Sequence, residues 1–298
     1  LLGYLRYGRM RRSGETPRGR WLAASVLLYA ASGLAKPTVL LLPVVLPLLD
    51  VYPLGRVHAT APQRRGITLL EKLPFLVCLL PLMWVSWVSQ ATSSAQLMSP
   101  NFSSLGVLTR LFGLICYNLM LYLGNLGWPT MLSPYRDLPA DQSLTQWPIL
   151  LSVLATLFLI VACLTAYRWS KPLFVGGLAF GALLAPALGA VRFVETCVAD
   201  RFLYLPGVFL LLPLAAVLAR LERRRPEVRW LARGGPVLLI AVLLILMRTQ
   251  QGVWRDSLAL WGRVVQTAPH FPSGLTRFAS AELTHGHFQS AIEHARRA

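Results

Sequence analysis

The sequence is poor in charge, and above all in negative charge. Only 14% of its 298 residues are Asp, Glu, Lys or Arg, while 55% are hydrophobic; a soluble domain has about 25% charged residues. This composition excludes an ordinary soluble domain and indicates an integral membrane protein. Lys and Arg outnumber Asp and Glu by 29 to 12. Because the arginines cluster between apolar runs, they fit a positive-inside signal and contact with anionic lipids better than nucleic acid binding.

Several catalytic and metal-binding motifs are also missing. The four cysteines (Cys78, Cys116, Cys163 and Cys197) show no CxxC spacing, so no metal or redox site is predicted. There is no Walker A loop, GxSxG, HExxH or GxGxxG, which argues against an ATP-driven pump, a lipase-like hydrolase and a zinc protease. No cofactor is predicted, and the sequence leaves a divalent metal undecided. The chain opens at Leu1 without an initiator Met, and we expect an N-terminal portion to precede it.

The apolar runs predict seven membrane spans. The first run, from Trp21 to Pro53, is too long for one span of about 20 residues. Lys36-Pro37 divides it, because a proline disfavours helix at the residue before it. Each half is short for a span and requires a locally thinned bilayer. The other five predicted spans are residues 67–89, 147–167, 172–191, 202–219 and 235–248.

The distribution of basic residues predicts the topology. Four loops hold seventeen Lys and Arg, which places them in the cytoplasm: residues 1–20, 54–66, 168–171 and 220–233. This assignment requires that residues 105–127, an apolar stretch broken by tyrosines, asparagines and glycines, do not cross the bilayer. We therefore predict a membrane domain over residues 1–250. The Lys36 turn, the Asp200-Arg201 loop and residues 251–298 are predicted to be extracytoplasmic.

Residues 251–298 change to an amphipathic helical pattern with no run long enough to span. Residues 273–298 place small and large side chains at the packing positions of a tetratricopeptide repeat, with an inter-helix turn at His285-Gly286. One repeat cannot bury its own face, so we predict the start of a tetratricopeptide-repeat solenoid. The alternative is a lone helical hairpin on the membrane surface. The predicted packing positions are Phe278, Ala279, Gly286, Ala291 and Ala298.

The strongest candidate site is a charged pair, Asp200 and Arg201, at the mouth of an apolar span. Charge at such a place is costly and is a functional signal by default. Arg192 and Glu195 share the same short loop, and Lys36 lies alone between two apolar helices. Arginines and carboxylates at a bilayer surface suit a lipid-linked phosphate and a polar acceptor. Alternatively, Asp200 caps a helix, the cations reach to lipid headgroups, and the carboxylates only neutralise the arginines.

Several stretches form one signature, in one order along nearly the whole chain. They are Gly33-Leu34-Ala35-Lys36-Pro37, Leu48-Leu49-Asp50-Val51-Tyr52-Pro53-Leu54-Gly55-Arg56, Glu71-Lys72-Leu73-Pro74, Trp128-Pro129 with Ser133-Pro134-Tyr135, Ala199-Asp200-Arg201 with Tyr204-Leu205-Pro206, and Trp254-Arg255-Asp256-Ser257 with Leu260-Trp261. Together they resemble bacterial relatives of the transmembrane and tetratricopeptide-repeat O-mannosyltransferases. From its residues alone, the aromatic turn between Trp128 and Tyr135 is predicted to be structural rather than catalytic.

The resemblance implies an all-α, GT-C-like polytopic bundle in the bacterial inner membrane, followed by the repeats. It implies transfer of a sugar from a polyprenyl phosphate to a protein or glycan acceptor on the extracytoplasmic face. Lys36 and Arg201 would hold the donor phosphate, Asp200 would orient Arg201, and Tyr204 would line the donor groove. The family's catalytic acid lies early in the chain, and we expect it upstream of Leu1. A non-catalytic membrane scaffold, whose repeats recruit partner proteins, is the alternative.

Overall fold

The computed structural model describes residues 1–13, 19–35, 39–56, 68–93, 105–130, 132–135, 144–188, 199–224, 227 and 229–298. In this part of the chain all regular structure is helical, as predicted, and no strand occurs. The α-helices are α1 (Leu2–Arg12), α2 (Gly19–Ala35), α3 (Leu42–Val51), α4 (Leu73–Ser93), α5 (Leu105–Gly127), α6 (Trp147–Trp169), α7 (Lys171–Leu184), α8 (Tyr204–Arg224), α9 (Arg229–Gln251), α10 (Ser257–Thr267), α11 (Pro272–Thr284) and α12 (Phe288–Arg297). Short 3-10 helices cover Ala185–Leu188, Asp200–Leu203 and Gly252–Trp254.

Five helical segments in the described residues are long and apolar enough to cross a membrane. They are Thr68–Ser86, Trp147–Trp169, Lys171–Leu188, Asp200–Arg224 and Arg233–Trp254, and each coincides with a predicted span. Many of their large apolar side chains are exposed, including Phe158, Leu212 and Ile245. A surface this apolar is consistent with a membrane protein, since soluble monomers rarely expose large apolar patches.

The first apolar run forms two short helices, which confirms its predicted division. Helix α2 has 17 residues and α3 has 10, while Lys36 and Pro37 lie outside the described residues. Proline occupies the first turn of α3, where its missing N–H would have had no helical partner. Helix α5 has the predicted bounds. That α5 does not cross, that seven segments do, and which side each loop faces all stay predictions.

The chain divides into two compact units. One comprises Leu1–Met98, Phe158–Pro186 and Leu205–Val217. Its apolar core includes Tyr4 of α1, Tyr29 of α2 and Phe75 of α4, whose ring centroid lies 6.1 Å from that of Tyr4 and 5.8 Å from that of Tyr29. The core continues through Val45, Leu46, Leu49, Leu54, Leu82, Ala179 and Leu183. These aromatic contacts join three helices around one ring.

The second unit comprises Ser99–Leu157, Ala187–Tyr204 and Leu218–Ala298. Its last helices, α11 and α12, form the predicted hairpin, with Gly286 at φ +80° in the turn. Ala279 and Ala291 are buried, and the half-buried Phe278 ring lies edge-on to His294 at 4.8 Å. Ala298, the last predicted packing residue, is exposed. The helical hairpin is thus present, while its assignment as a tetratricopeptide repeat stays a prediction.

Helices α7 and α8 approach closely at Gly176 in the first unit. A Cβ built on Gly176 would overlap the backbone carbonyl oxygen of Phe209 and the ring of Pro213. A backbone atom cannot swing aside as the end of a side chain can. Gly176 is therefore required by helix packing. Gly181, on the same helix, has no atom within 4 Å of its built Cβ.

Gly176→Ala should destabilise the protein by about 1–3 kcal/mol, because the added methyl group forces the two helices apart. Gly181→Ala is the matched control. It should be neutral, or stabilise by up to ~1 kcal/mol through the better helix propensity of alanine. Thermal unfolding of both purified variants in one detergent would measure the difference. Equal stability of the two variants would contradict the close approach of α7 and α8.

Candidate functional site

The structure describes three of the six residues predicted to form the donor site. Asp200, Arg201 and Tyr204 are described, whereas Lys36, Arg192 and Glu195 lie outside the described residues. Asp200 does not begin the long helix α8. It is the first residue of the 3-10 helix Asp200–Leu203, and α8 follows at Tyr204. The described half of the site is therefore a tight helical turn at the start of an apolar helix.

Polar side chains on one face of α5 bond to Leu188 and to Ala199, the residue before this turn. Asn118 donates to the carbonyl of Leu188 at 3.0 Å. The Tyr122 hydroxyl accepts from the backbone N–H of Ala199 at 3.1 Å. Because Asn118, Tyr122 and Asn125 are four and three residues apart, they lie on one face of the helix. The interruptions of the apolar pattern in α5 thus serve as a hydrogen-bonding face.

Asp200 links α5 to the aromatic turn through hydrogen bonds. Its carboxylate accepts hydrogen bonds from the side-chain amide of Asn125 and from the backbone N–H of Ser133, the latter at 2.9 Å. Ser133 in turn contacts Thr267 of α10, with 2.8 Å between the two hydroxyl oxygens. These bonds fix the backbone from which Arg201 projects. Direct orientation of the Arg201 side chain by Asp200 stays a prediction.

The aromatic turn packs against α10 and against Phe271, the residue before α11. The Tyr135 ring stacks on Phe271, with centroids 4.4 Å apart, and lies 6.2 Å from Trp261. The Tyr135 backbone carbonyl accepts from the hydroxyl of Thr267 at 3.1 Å. These contacts support the structural role predicted for the turn, because they hold it on α10 and the residue before α11.

Arg201 and Tyr204 are both exposed, Tyr204 to 79%. They are three residues apart across the 3-10 turn, a spacing that puts two side chains on the same side. The Arg201 guanidinium carbon lies 5.1 Å from the centroid of the Phe202 ring. No carboxylate of the described residues forms an ion pair with Arg201. The turn therefore presents an open guanidinium beside a phenol at the boundary of an apolar helix.

A second group of charges, which the sequence did not predict as a group, is buried in the first unit. Asp50 accepts from the Tyr4 hydroxyl at 3.0 Å and from Arg56 at 3.2 Å, and forms an ion pair with Lys72. Glu71 accepts from Arg56 at 2.6 Å and from Tyr7 at 3.2 Å, and pairs with Arg11. We call Tyr4, Tyr7, Arg11, Asp50, Arg56, Glu71 and Lys72 the ionic cluster. It joins α1, the end of α3 and the start of α4.

The burial of the ionic cluster explains its pairing. Asp50, Arg56, Glu71 and Lys72 are each less than 9% exposed, and an unpaired charge at such a depth would be very costly. Burial, and then the negative charge of Asp50, raise the pKa of the Tyr4 phenol above its ordinary value. Tyr4 therefore remains a hydrogen-bond donor to Asp50. The sequence did contain a signal for this cluster: acidic and basic residues lie at the adjoining ends of two neighbouring apolar runs, Asp50 in the first run and Glu71 and Lys72 in the next.

Among the described residues, no three His, Cys, Asp or Glu side chains converge as metal ligands would. No protein family, curated protein or solved structure matches the chain.

Asp50→Asn should cost about 3–5 kcal/mol of stability, because it leaves Arg56 and Lys72 buried without their full negative partner. Glu222→Gln is the control. It breaks a pair with Arg233, whose side chain is 69% exposed, and a pair of this kind contributes ~0–1 kcal/mol. Unfolding of both variants in detergent would give the two values. A loss no larger for Asp50→Asn than for Glu222→Gln would mean that the ionic cluster does not hold α1, α3 and α4 together.

Proposed function

We propose that the protein is a membrane glycosyltransferase that takes a sugar from a polyprenyl-phosphate donor on the extracytoplasmic face. One observation supports this most: an exposed guanidinium, Arg201, is held on a braced turn at the start of an apolar helix. The phosphate of a lipid-linked donor lies at that level of a membrane, with its prenyl chain among the apolar helices. The motifs that resemble those of the O-mannosyltransferase family support the same proposal.

The proposed reaction exchanges one bond at the anomeric carbon of the donor sugar. The acceptor hydroxyl oxygen attacks this carbon, and the bond to the lipid phosphate oxygen breaks with its electron pair. A general base takes the hydroxyl proton; we assign it to no residue of this chain. Arg201, together with Lys36, would bind the departing phosphate. Two parallel hydrogen bonds from a guanidinium to two phosphate oxygens stabilise the charge that the oxygens gain.

Tyr204 and Asp200 have supporting roles in this proposal. Tyr204, exposed on the same side of the turn as Arg201, would line the path of the donor. Asp200 would keep Arg201 in place through its bonds to Asn125 and Ser133. Arg192 and Glu195 are proposed to complete the site, and the C-terminal hairpin to contact the protein acceptor. The membrane scaffold remains the second candidate, favoured by exposed apolar residues of the hairpin such as Leu283, Phe288 and Ile292.

Arg201→Ala should lower donor use by about 100-fold or more, because it removes two hydrogen bonds to a charged group, each worth roughly 1.5–3 kcal/mol. Arg201→Lys should recover only part of the activity, since lysine offers a point charge without the planar fork. The measurement is transfer from a polyprenyl-phosphate-linked sugar to acceptor by purified protein in vesicles.

Arg248→Ala is the matched control, because Arg248 is also an exposed arginine near the end of an apolar helix. It should leave transfer unchanged. Equal activity of the Arg201→Ala protein and the wild type would reduce Arg201 to an anchor in the headgroup layer. Absence of transfer by the wild type with every polyprenyl-phosphate-linked sugar supplied would favour the scaffold.

A further inference from the structure

Helices α1 and α2 of the first unit approach closely at Gly3. A Cβ built on Gly3 would lie 2.5 Å from the hydroxyl oxygen of Ser25 and 3.3 Å from the carbonyl oxygen of Trp21. Ser25 itself donates to that carbonyl at 2.7 Å. The close approach carries the next turn of α1, with Arg6, over the beginning of α2.

Two guanidinium groups share one indole ring at this crossing. The guanidinium carbon of Arg6 lies 4.4 Å from the centroid of the Trp21 ring, and that of Arg20 lies 5.7 Å from it. Both arginines are exposed, and neither forms an ion pair with a carboxylate of the described residues. This differs from Arg11 and Arg56, which are paired in the ionic cluster.

The ring orients the two cations but does not neutralise them. An exposed cation–π contact contributes about 0.5–1 kcal/mol, whereas holding an arginine side chain in one geometry costs up to about 2 kcal/mol of rotamer entropy. Two guanidinium groups that keep their charge beside one ring can therefore bind an anion. Phosphate matches the planar fork of a guanidinium, and two guanidiniums can share its oxygens.

The exposed face of α2 indicates whether the phosphate belongs to a lipid headgroup or is a free ion. Leu27 and Leu34 follow Arg20 at intervals of seven residues, which places all three on one side of the helix. Leu27 is 70% exposed and Leu34 71% exposed. At a rise of 1.5 Å per residue, they lie about 10 and 20 Å beyond Arg20 along the helix axis. A charged end followed by an apolar stripe matches a phospholipid and not a free phosphate.

We infer that Arg6, Arg20 and Trp21 form a binding site for the phosphate of an anionic phospholipid. One acyl chain of that lipid runs along the Leu27–Leu34 face of α2. The indole ring lies at the headgroup level, where tryptophan is enriched in membrane proteins. The site does not rest on the proposed transferase function, because it uses neither Arg201 nor Lys36.

A lipid titration of the purified protein in detergent tests the inference. Short-chain phosphatidylglycerol should raise the melting temperature of the wild type in a saturable way. The double variant Arg6→Gln/Arg20→Gln should require at least about tenfold more lipid for the same shift, because it loses charge-assisted hydrogen bonds to phosphate. Phosphatidylcholine should have a weaker effect, and inorganic phosphate should not reproduce the shift.

The control Arg9→Gln/Arg277→Gln removes the same number of charges from exposed positions. Arg9 shares α1 with Arg6 but contacts no aromatic ring of the described residues. Arg277 lies over Trp261, its guanidinium carbon 5.1 Å from the ring centroid, with no second guanidinium of the described residues over that ring. This variant should respond to phosphatidylglycerol as the wild type does. If the first double variant does not fold, Arg20→Gln alone, outside α1, should still weaken the response.

Three results would overturn the inference. One is an unchanged phosphatidylglycerol response in both Arg6→Gln/Arg20→Gln and Arg20→Gln. The second is an equal loss in the control variant, which would show that net charge alone attracts the lipid. The third is an equal stabilisation of the wild type by inorganic phosphate, which would assign the site to a free anion instead.

Discussion

The first unit depends on the pairing of buried charges. Asp50 and Glu71 form ion pairs with three cations, Arg11, Arg56 and Lys72, and Arg56 bridges the two carboxylates. Charges at this depth are tolerated only with good geometry and full hydrogen bonding, which Tyr4 and Tyr7 complete. Only a few arrangements of the helices that carry these residues keep all of these ion pairs and hydrogen bonds. A purely apolar contact would allow them to slide past one another, because the hydrophobic effect is non-directional.

Among the described arginines, two groups differ in a way that composition cannot show. Arg11 and Arg56 are bound by carboxylates and serve the fold. Arg6, Arg20 and Arg201 are exposed and stand against aromatic rings. An aromatic ring orients a guanidinium without neutralising it, so the second group keeps its charge available to an outside anion. Both proposed phosphate contacts, for a sugar donor and for a lipid, belong to this group.

In the second unit, polar residues within an apolar helix are also explained by partners that lie far away along the chain. Asn118, Tyr122 and Asn125 interrupt the apolar pattern of α5, and they bond to Leu188, Ala199 and Asp200 respectively. These interruptions are visible in the sequence, where they predict only that residues 105–127 do not cross the bilayer. Their partners lie 70 to 77 residues away along the chain. No periodicity within α5 could have identified them.

The sequence by itself determined the helical class, five of the long apolar helices, the break in the first apolar run and the turn at Gly286. These follow from local causes: run length, proline and glycine geometry, and the period of apolar residues. Tertiary structure alone decided that Arg56 belongs to a buried cluster and not to an exposed basic loop, and that Asp200 braces a turn. Both depend on which distant segments meet, and a charged side chain has the same local signature whether its partner is water or another helix.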